Sequence, residues 1–364
     1  RTLLRVAGYP YEFSWVGEGE AVGRQVNIDY GPHPGTVSAP VRIHACGEPF
    51  TEASGKELRG AYERGGVWFL DFGRGHNGNG AHPAEGDTLK FSNDIIFASF
   101  WLLTGARESH YARDRWDNLQ LEGTPFLEHS LFSKPLVSLY GALLGEHLKR
   151  RGHAPLARPW ASGQAEAAFV LSHDVDYPQI IRWIESLRLL RSRGLKGLRS
   201  IAGVLRGTNH FWKFADWVEF EKELGTRPAF YFMARKGSLW QYATGTPDGF
   251  YDVRAPEFAE LFRYLVGEGC EVGLHASYHA HRCEQQLRRE KELLEAAAGV
   301  RVEGNRHHYW HLDPSAPHDT LRKQERAGLV YDSSLAFEFY PGFRRGICHP
   351  FRVFHPGERR ELNL

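Results

Sequence analysis

The C-terminal half of the chain alternates between apolar runs of strand length and amphipathic stretches of helical length. The runs cover residues 167–171, 229–233, 271–274, 300–302 and 329–331. The helical stretches lie near residues 179–193, 211–224, 256–268, 284–298 and 315–327. This order predicts a parallel sheet, either open or closed into a barrel. In such folds the chemistry gathers at the carboxyl ends of the strands, so the residues after each run are the candidate site.

The first 155 residues or so carry a different, turn-rich pattern. Strand-like pieces such as residues 67–70 are interrupted by Gly and Pro, and helices are predicted over residues 94–104 and 136–150. Residues 151–163 contain Pro, Gly and Ser without periodicity, which is typical of a linker. We therefore expect a smaller mixed α+β domain over residues 1–160 and an α/β domain over residues 161–364.

Composition and charge exclude several classes of protein. Hydrophobic residues make up 42% of the 364 residues and charged residues 24%, which excludes a disordered or collagen-like chain. A net charge of +1 argues against a nucleic-acid partner. The longest apolar stretch, residues 95–103, is far shorter than the ~20 residues of a membrane span. Four scattered cysteines without a CxxC pair favour a reducing compartment, so a cytoplasmic protein is expected, while a leader before Arg1 is either absent or already removed.

Two carboxylates, Asp174 and Asp176, follow the first apolar run of the C-terminal half. One of them can bind a cation while its neighbour acts as a general base. The alternative is a turn whose aspartates cap a helix before Pro178.

Two histidines, His275 and His279, follow the third run at a spacing of i, i+4. This spacing can aim two imidazoles at one metal, although the spacer lacks the Glu of HExxH proteases, which excludes that class. With one Asp they would make three protein ligands and leave a position open, as in catalytic metal sites. Because the chain holds 19 His, a chance pair is the alternative.

The fourth run is followed by Arg306, His307, His308, Tyr309 and Trp310, and the fifth by Asp332. Arg306 can pair with an active-site carboxylate, and the aromatic residues suit a ligand with apolar faces and polar edges, such as a sugar. Core packing of the aromatic residues and a helix-capping Asp332 are the alternatives.

Taken together, the Asp-x-Asp, Glu-Val-Gly-Leu-His-x-x-x-His and Arg motifs resemble the polysaccharide deacetylase superfamily of metal-dependent carbohydrate esterases. The resemblance covers roughly residues 165–355. Residues 331–335 and 342–346 resemble the variant of this superfamily that carries its own N-terminal domain, and residues 94–104 resemble that accessory domain.

The resemblance implies a (β/α) barrel and a hydrolase that acts on the N-acetyl groups of a polysaccharide amino sugar. Asp176, His275 and His279 would hold one divalent metal ion, usually Zn²⁺ in this superfamily. Asp174 would be the general base, and Arg306 would keep it ionised and oriented. Ser277 would lie beside the metal ligands.

The chain departs from the superfamily at two points. His307, His308 and Tyr309 stand where a Pro normally follows the Arg, and no Leu-x-His motif supplies a general acid near the C-terminus. We therefore expect a barrel that is incomplete at the C-terminus, with His308 as a substitute acid if the chain is whole. A hydrolase of another C–N bond in a small amide and an inactive glycan-binding module are the alternatives.

Two further patterns have ordinary interpretations. A GxGxxG at residues 73–78 precedes residues that cannot open a helix, so a glycine-rich surface loop is expected instead of a nucleotide site. Residues 182–206 form a basic amphipathic segment, which is either a solvated helix face or a surface for an anionic glycan or membrane.

Overall fold

The computed structural model describes residues 28–31, 39–45, 50–73, 82–85, 88–153, 168–244 and 248–364. The chain divides into two compact units. The first contains the residues up to 168 together with residues 314–318 and 335–363, and the second contains residues 169–313, 319–334 and 364. The expected boundary near residue 160 lies outside the described residues, as do residues 74–78 of the GxGxxG pattern. The expected division also differs from the structure in that residues 335–363 return to the first unit.

The first unit is a mixed α/β structure with a four-stranded sheet of order β1-β2-β6-β5. β1, β2 and β6 run parallel, and β5 is antiparallel to β6. β3 and β4 form a separate antiparallel hairpin. The strands are β1 (Ile28–Gly31), β2 (Val41–His44), β3 (Gly60–Arg64), β4 (Val67–Asp71), β5 (His82–Glu85) and β6 (Thr88–Phe91).

Two of the helices in the first unit confirm the sequence prediction. α1 (Ile95–Thr104) starts where the Asp94 side chain accepts a hydrogen bond from the Phe97 amide at 2.8 Å, which satisfies one of the free N–H groups of the first turn. α2 (Pro125–Glu128) is a single turn, and α3 (Leu136–Arg150) matches its predicted bounds. Short 3₁₀ turns lie at Phe50–Gly55, Glu108–His110 and Leu131–Ser133.

A buried ion pair attaches the C-terminal segment to the first unit. Arg344 donates to both carboxylate oxygens of Glu108, from Nε at 3.0 Å and from Nη2 at 2.9 Å. Burial acts to raise the pKa of Glu108, but Arg344 and Arg345 outweigh burial and hold that pKa below its usual value. Glu108 therefore stays charged, and both partners are needed because either one alone would be a buried, uncompensated charge.

The second unit contains a parallel five-stranded sheet of order β11-β10-β9-β8-β7. β7 and β11 are its two edges among the described residues, so the sheet is open there and closure into a barrel is not confirmed. The strands are β7 (Ser172–Val175), β8 (Ala229–Phe232), β9 (Glu271–Leu274), β10 (Gly304–Asn305) and β11 (Tyr331–Asp332). The last two strands, β12 (Phe354–His355) and β13 (Arg360–Glu361), form an antiparallel pair in the first unit.

Among the described residues, seven helices follow β7. They are α4 (Arg182–Arg193), α5 (Leu198–Leu205), α6 (Phe214–Glu223), α7 (Leu239–Thr244), α8 (Pro256–Gly267), α9 (Glu284–Ala298) and α10 (Pro317–Arg326). Five of them lie close to the predicted positions, and α5 and α7 were not predicted. Short 3₁₀ turns occur at Gly194–Gly197, Ala280–Arg282 and His308–Trp310. In the part of the chain that the structure describes, no helix combines the length and the apolar character needed to cross a bilayer.

Two strands lie further along the chain than predicted. The apolar run at residues 167–171 precedes β7, and Phe169 and Val170 are 79% and 82% exposed. Asp174 consequently lies inside β7, and only Asp176 follows its end. Likewise, the run at residues 300–302 precedes β10. The reason is that strand extent follows backbone pairing, which begins only where a neighbouring strand is in register.

The two faces of the five-stranded sheet have different surroundings. Phe230, Phe232 and Val272 point into the helix-covered core. On the other face Asp174, Tyr231 and Gly273 lie in register on neighbouring strands. A Cβ atom at Gly273 would lie 2.5 Å from the Tyr231 ring, and a Cβ atom at Gly304 would overlap the Tyr331 ring. Glycine at both positions therefore leaves the space that the two tyrosines occupy.

We expect Gly304→Ala to lower the free energy of unfolding by about 1–3 kcal/mol, because its methyl group would overlap Tyr331. Chemical denaturation measures this loss. Gly267→Ala is the matched control, since a Cβ at Gly267 meets no atom within 4 Å. In a double-mutant cycle, Tyr331→Ala should relieve part of the Gly304→Ala penalty. Strict additivity of the two changes would contradict the steric explanation.

Candidate metal and hydrolase site

Three ligand-type side chains meet in the second unit: Asp176, His275 and His308. The Asp176 Oδ1 atom lies 3.3 Å from His275 Nε2 and 3.6 Å from His308 Nε2. All three ligand atoms lie within 4.8 Å of one another. Both imidazoles are buried, so the cluster has little access to solvent on the histidine side.

The strand order explains how residues about 130 positions apart in the sequence come together. Asp176 follows β7, His275 follows β9, and His308 opens the 3₁₀ turn after β10. Carboxyl ends of parallel strands share one edge of a sheet, so these residues converge there. The turn is strained, because Tyr309 and Trp310 have φ angles of 58° and 47°, in the region that favours glycine.

Main-chain contacts orient the His275 ring. Its Nδ1 atom donates to the carbonyl oxygen of Arg306 at 2.6 Å, which leaves Nε2 as the ring nitrogen that faces Asp176. Burial acts to lower the pKa of His275, but Asp176 and Asp174 outweigh burial and raise that pKa. Burial acts to raise the pKa of Asp176, and there His275 and His308 lower it overall. Both shifts favour an ionised Asp176 carboxylate next to the His275 and His308 rings.

These residues fit a divalent metal ion. The Asp176 Oδ1 atom is buried and makes no hydrogen bond, although two imidazole nitrogens point at it. A buried carboxylate oxygen normally has a partner, so an orphaned one needs an explanation. One oxygen and two imidazole nitrogens form a donor set that zinc and similar cations accept, with a coordination position left for a ligand.

Asp174 and Arg306 form a second arrangement on the same sheet. Arg306 donates from Nη1 to Asp174 Oδ1 at 3.0 Å, from Nη2 to Ser172 Oγ at 2.8 Å and from Nε to Ser333 Oγ at 3.0 Å. Its guanidinium also lies 4.7 Å from the centre of the Tyr231 ring. The Asp174 side chain is thus held in one orientation while 28% of its surface remains accessible.

Most of the predicted site residues come together, with one exception. Asp176 joins His275, and Asp174 joins Arg306. His279 is not in the metal-type cluster of the described residues; it is exposed, and its ring contacts Tyr278 and His281. An i, i+4 pair shares a face only on a helix, whereas residues 275–279 form an irregular turn. Among the described residues, His308 lies next to Asp176 and His275, where His279 was predicted.

Sequence reasoning missed Asp248. Its carboxylate accepts a hydrogen bond from the Tyr278 amide at 2.8 Å and lies 3.6 Å from His308 Nδ1, and its own amide donates to that nitrogen at 3.2 Å. Burial acts to raise the pKa of Asp248, but His308 and the Tyr278 amide lower it overall. Asp248 is buried in the left-handed region at φ 78°. No motif marks this residue, because its turn has an ordinary loop sequence.

Glu290 anchors the loop that carries His275 through hydrogen bonds with Ser277. Ser277 donates to Glu290 from its amide at 2.9 Å and from its hydroxyl at 2.5 Å. Ser277 thus lies beside the ligands and contacts Glu290. His307 is fully buried, and burial lowers its pKa well below the usual value, so this ring is neutral.

Comparison with known proteins does not assign the chain to a family. No family model and no curated protein matches the chain. Among solved structures, the chain is similar to a mutant of a CE4 family pseudoenzyme with restored enzymatic activity, at 14% identity and a TM-score of 0.23. The match covers 33% of this chain and only 39% of that chain. At that TM-score the likeness carries no argument about fold or activity.

We expect Asp248→Asn to weaken binding of a divalent cation about 10–100-fold, because ligation at His308 Nε2 places the ring proton on Nδ1, where the Asp248 carboxylate lies 3.6 Å away and stabilises it. Competition with a chromophoric chelator measures the affinity for Zn²⁺. Asn tolerates the left-handed backbone, so the change tests the charge rather than the turn. Asp252→Asn, in the same loop and paired with Arg254, is the control. Equal affinities for the Asp248 variant and the unmodified protein would contradict the role of Asp248.

Proposed function

We propose that this protein is a metal-dependent hydrolase that removes N-acetyl groups from an amino sugar of a polysaccharide or oligosaccharide. The observation that carries the proposal is the Asp176, His275 and His308 cluster beside the Asp174–Arg306 pair. Three ligands with an open position and an adjacent anchored carboxylate are the parts that metal-assisted amide hydrolysis needs.

In this proposal Asp176, His275 and His308 hold one divalent cation, Zn²⁺ being the best match to the donor set. When bound, the cation would polarise the amide carbonyl and lower the pKa of a water molecule. His308 replaces His279 as a ligand, because its Nε2 atom faces Asp176. A ligating Nε2 cannot also carry a proton, so His308 is not assigned as the general acid.

Asp174 is the proposed general base. Arg306 holds its carboxylate in place, and the exposed part of Asp174 can accept a proton from the attacking water. The water supplies hydroxide to the acyl carbon, and the C–N bond breaks. Asp174 then returns the proton to the leaving nitrogen, so that the products are acetate and a free amine.

The aromatic surroundings support a saccharide as the substrate. The Tyr309 ring is half-buried, and its centre lies 4.6 Å from that of His308 and 5.8 Å from that of Tyr278. A partly exposed aromatic face next to polar groups suits the apolar face and hydroxyl edge of a sugar ring. The strained backbone at Tyr309 keeps this ring beside the ligand cluster.

A metal analysis tests the ligand assignment. The purified protein should hold about one zinc ion per chain, and His308→Ala should lose it. His279→Ala is the matched control and should keep the ion, since His279 is exposed. Elemental analysis after dialysis reads out both. Metal loss in His279→Ala with retention in His308→Ala would restore the sequence-predicted ligand set and reject ours.

The second test concerns turnover. Asp174→Asn should lower acetate release from N-acetylated hexosamine oligomers by about 10²–10⁴-fold with unchanged metal content. Asp252→Asn should leave both unchanged, because its Arg254 partner belongs to a different contact. Full turnover in Asp174→Asn would reject the base assignment. Hydrolysis of small cyclic amides but not of acetylated oligomers would reject the sugar assignment, and saccharide binding without turnover would reject the enzyme.

A further inference from the structure

Residues 182–206, hereafter the basic hairpin, form an exposed element of the second unit. The hairpin consists of α4, the 3₁₀ turn Gly194–Gly197 and α5, and its two helices pack against each other. It begins six residues after Asp176, yet none of its residues belongs to the site described above.

The outer face of α4 is apolar. Trp183, Leu187 and Leu190 recur at i, i+4 and i+7, so they lie on one face, and they are 61%, 58% and 46% exposed. The opposite face of the helix holds the buried residues Ile184, Glu185 and Leu189. α4 therefore buries one apolar face in its own unit and leaves a second apolar face exposed to solvent.

The 3₁₀ turn and α5 also expose large apolar side chains. Leu195, Leu198 and Leu205 are 79%, 54% and 56% exposed in the part of the chain that the structure describes. Val204 supplies the buried contact of α5. The hairpin thus presents six large apolar side chains to solvent within 23 residues. Such a concentration marks an interaction surface rather than scattered exposure.

The charge of the hairpin is strongly positive. Seven basic side chains lie in it: Arg182, Arg188, Arg191, Arg193, Lys196, Arg199 and Arg206. Its one acid, Glu185, is buried and lies 3.2 Å from His210 Nε2. The hairpin carries a formal +6 while the whole chain carries +1, which leaves −5 for the remainder. This charge is complementary to an anionic surface.

We propose that the basic hairpin docks on the surface of an anionic lipid bilayer. The Trp183 and leucine side chains enter the boundary between headgroups and acyl chains, and the arginines and Lys196 contact the lipid phosphates. A basic, amphipathic element with Trp and Leu on its outer face has the composition of interfacial membrane helices. This docking is independent of the proposed hydrolase activity.

The aliphatic side chains distinguish a bilayer from other polyanions. A nucleic acid or a sulfated glycan offers phosphates or sulfates to Arg and Lys, but it offers no apolar phase to Leu187, Leu195 and Leu198. Bases stack on aromatic rings rather than on leucines. A lipid surface satisfies both the charge and the five exposed leucines of the hairpin.

Vesicle co-sedimentation of the full chain tests the proposal. The vesicles contain phosphatidylcholine alone or mixed with phosphatidylserine. A charge variant (Arg191→Gln, Lys196→Gln, Arg199→Gln) should bind the anionic vesicles roughly 100-fold more weakly, since each basic residue contributes roughly five-fold. An apolar variant (Leu187→Ser, Leu195→Ser, Leu198→Ser) should lose on the order of tenfold or more.

Matched controls lie elsewhere in the same unit. Leu224→Ser removes a leucine that is 59% exposed, and Arg263→Gln with Arg289→Gln removes exposed basic residues of α8 and α9. These variants should bind vesicles like the unmodified protein. The metal content of the hairpin variants should also be unchanged, which shows that they fold.

Three outcomes would overturn the docking. The first is that the unmodified protein fails to sediment with anionic vesicles. The second is that the charge variant loses binding while the apolar variant keeps it, since that would indicate a polyanion contact without insertion, and heparin would then compete fully. The third is self-association without lipid, seen by size-exclusion chromatography and abolished by the same apolar variant, which would assign the face to a second copy of the chain.

Discussion

The site in the second unit depends on the contacts of Arg306. Its guanidinium binds Asp174, Ser172 and Ser333, and its carbonyl accepts the Nδ1–H of His275. One residue therefore ties β7, the loop after β9 and the segment after β11 to the end of β10. Asp174 and His275 are thus both positioned by this residue, one through its side chain and the other through its carbonyl oxygen. Charged hydrogen bonds of this kind are strong and directional, which suits a positioning role.

The sheet supports this arrangement through its two unlike faces. Phe230, Phe232 and Val272 bury one face under helices, and this packing supplies the cohesion of the unit. The other face carries polar side chains and tyrosines above glycines, so that Tyr231 can lie under the Arg306 guanidinium. The strands thus hold Asp174, while the irregular segments after them hold Asp176, His275 and His308. Strain at Tyr309, Trp310 and Asp248 is confined to those segments, as is common where a fold positions chemistry.

Charge is distributed unevenly in the second unit. In the interior of the site the ionised Asp176 carboxylate lies next to the imidazoles of His275 and His308, and the fully buried His307 is neutral. By contrast, the basic hairpin gathers +6 on a surface that also exposes tryptophan and leucine. A near-neutral total therefore conceals a strong local field, because net charge sums over surfaces that face different partners.

The amino-acid sequence by itself determined the alternation of strands and helices, and it placed Asp174, Asp176, His275 and Arg306 in local motifs whose side chains meet in two pairs. These follow from periodicity and from local motifs, which are properties of neighbouring residues. Tertiary structure alone decided that His308, and not His279, lies beside Asp176 and His275 among the described residues, that Asp248 contacts His308 and that the described sheet is open. The physical reason is that the direction of a side chain after a strand depends on the turn that follows. That turn is set by contacts between segments distant in sequence, so spacing alone cannot reveal it.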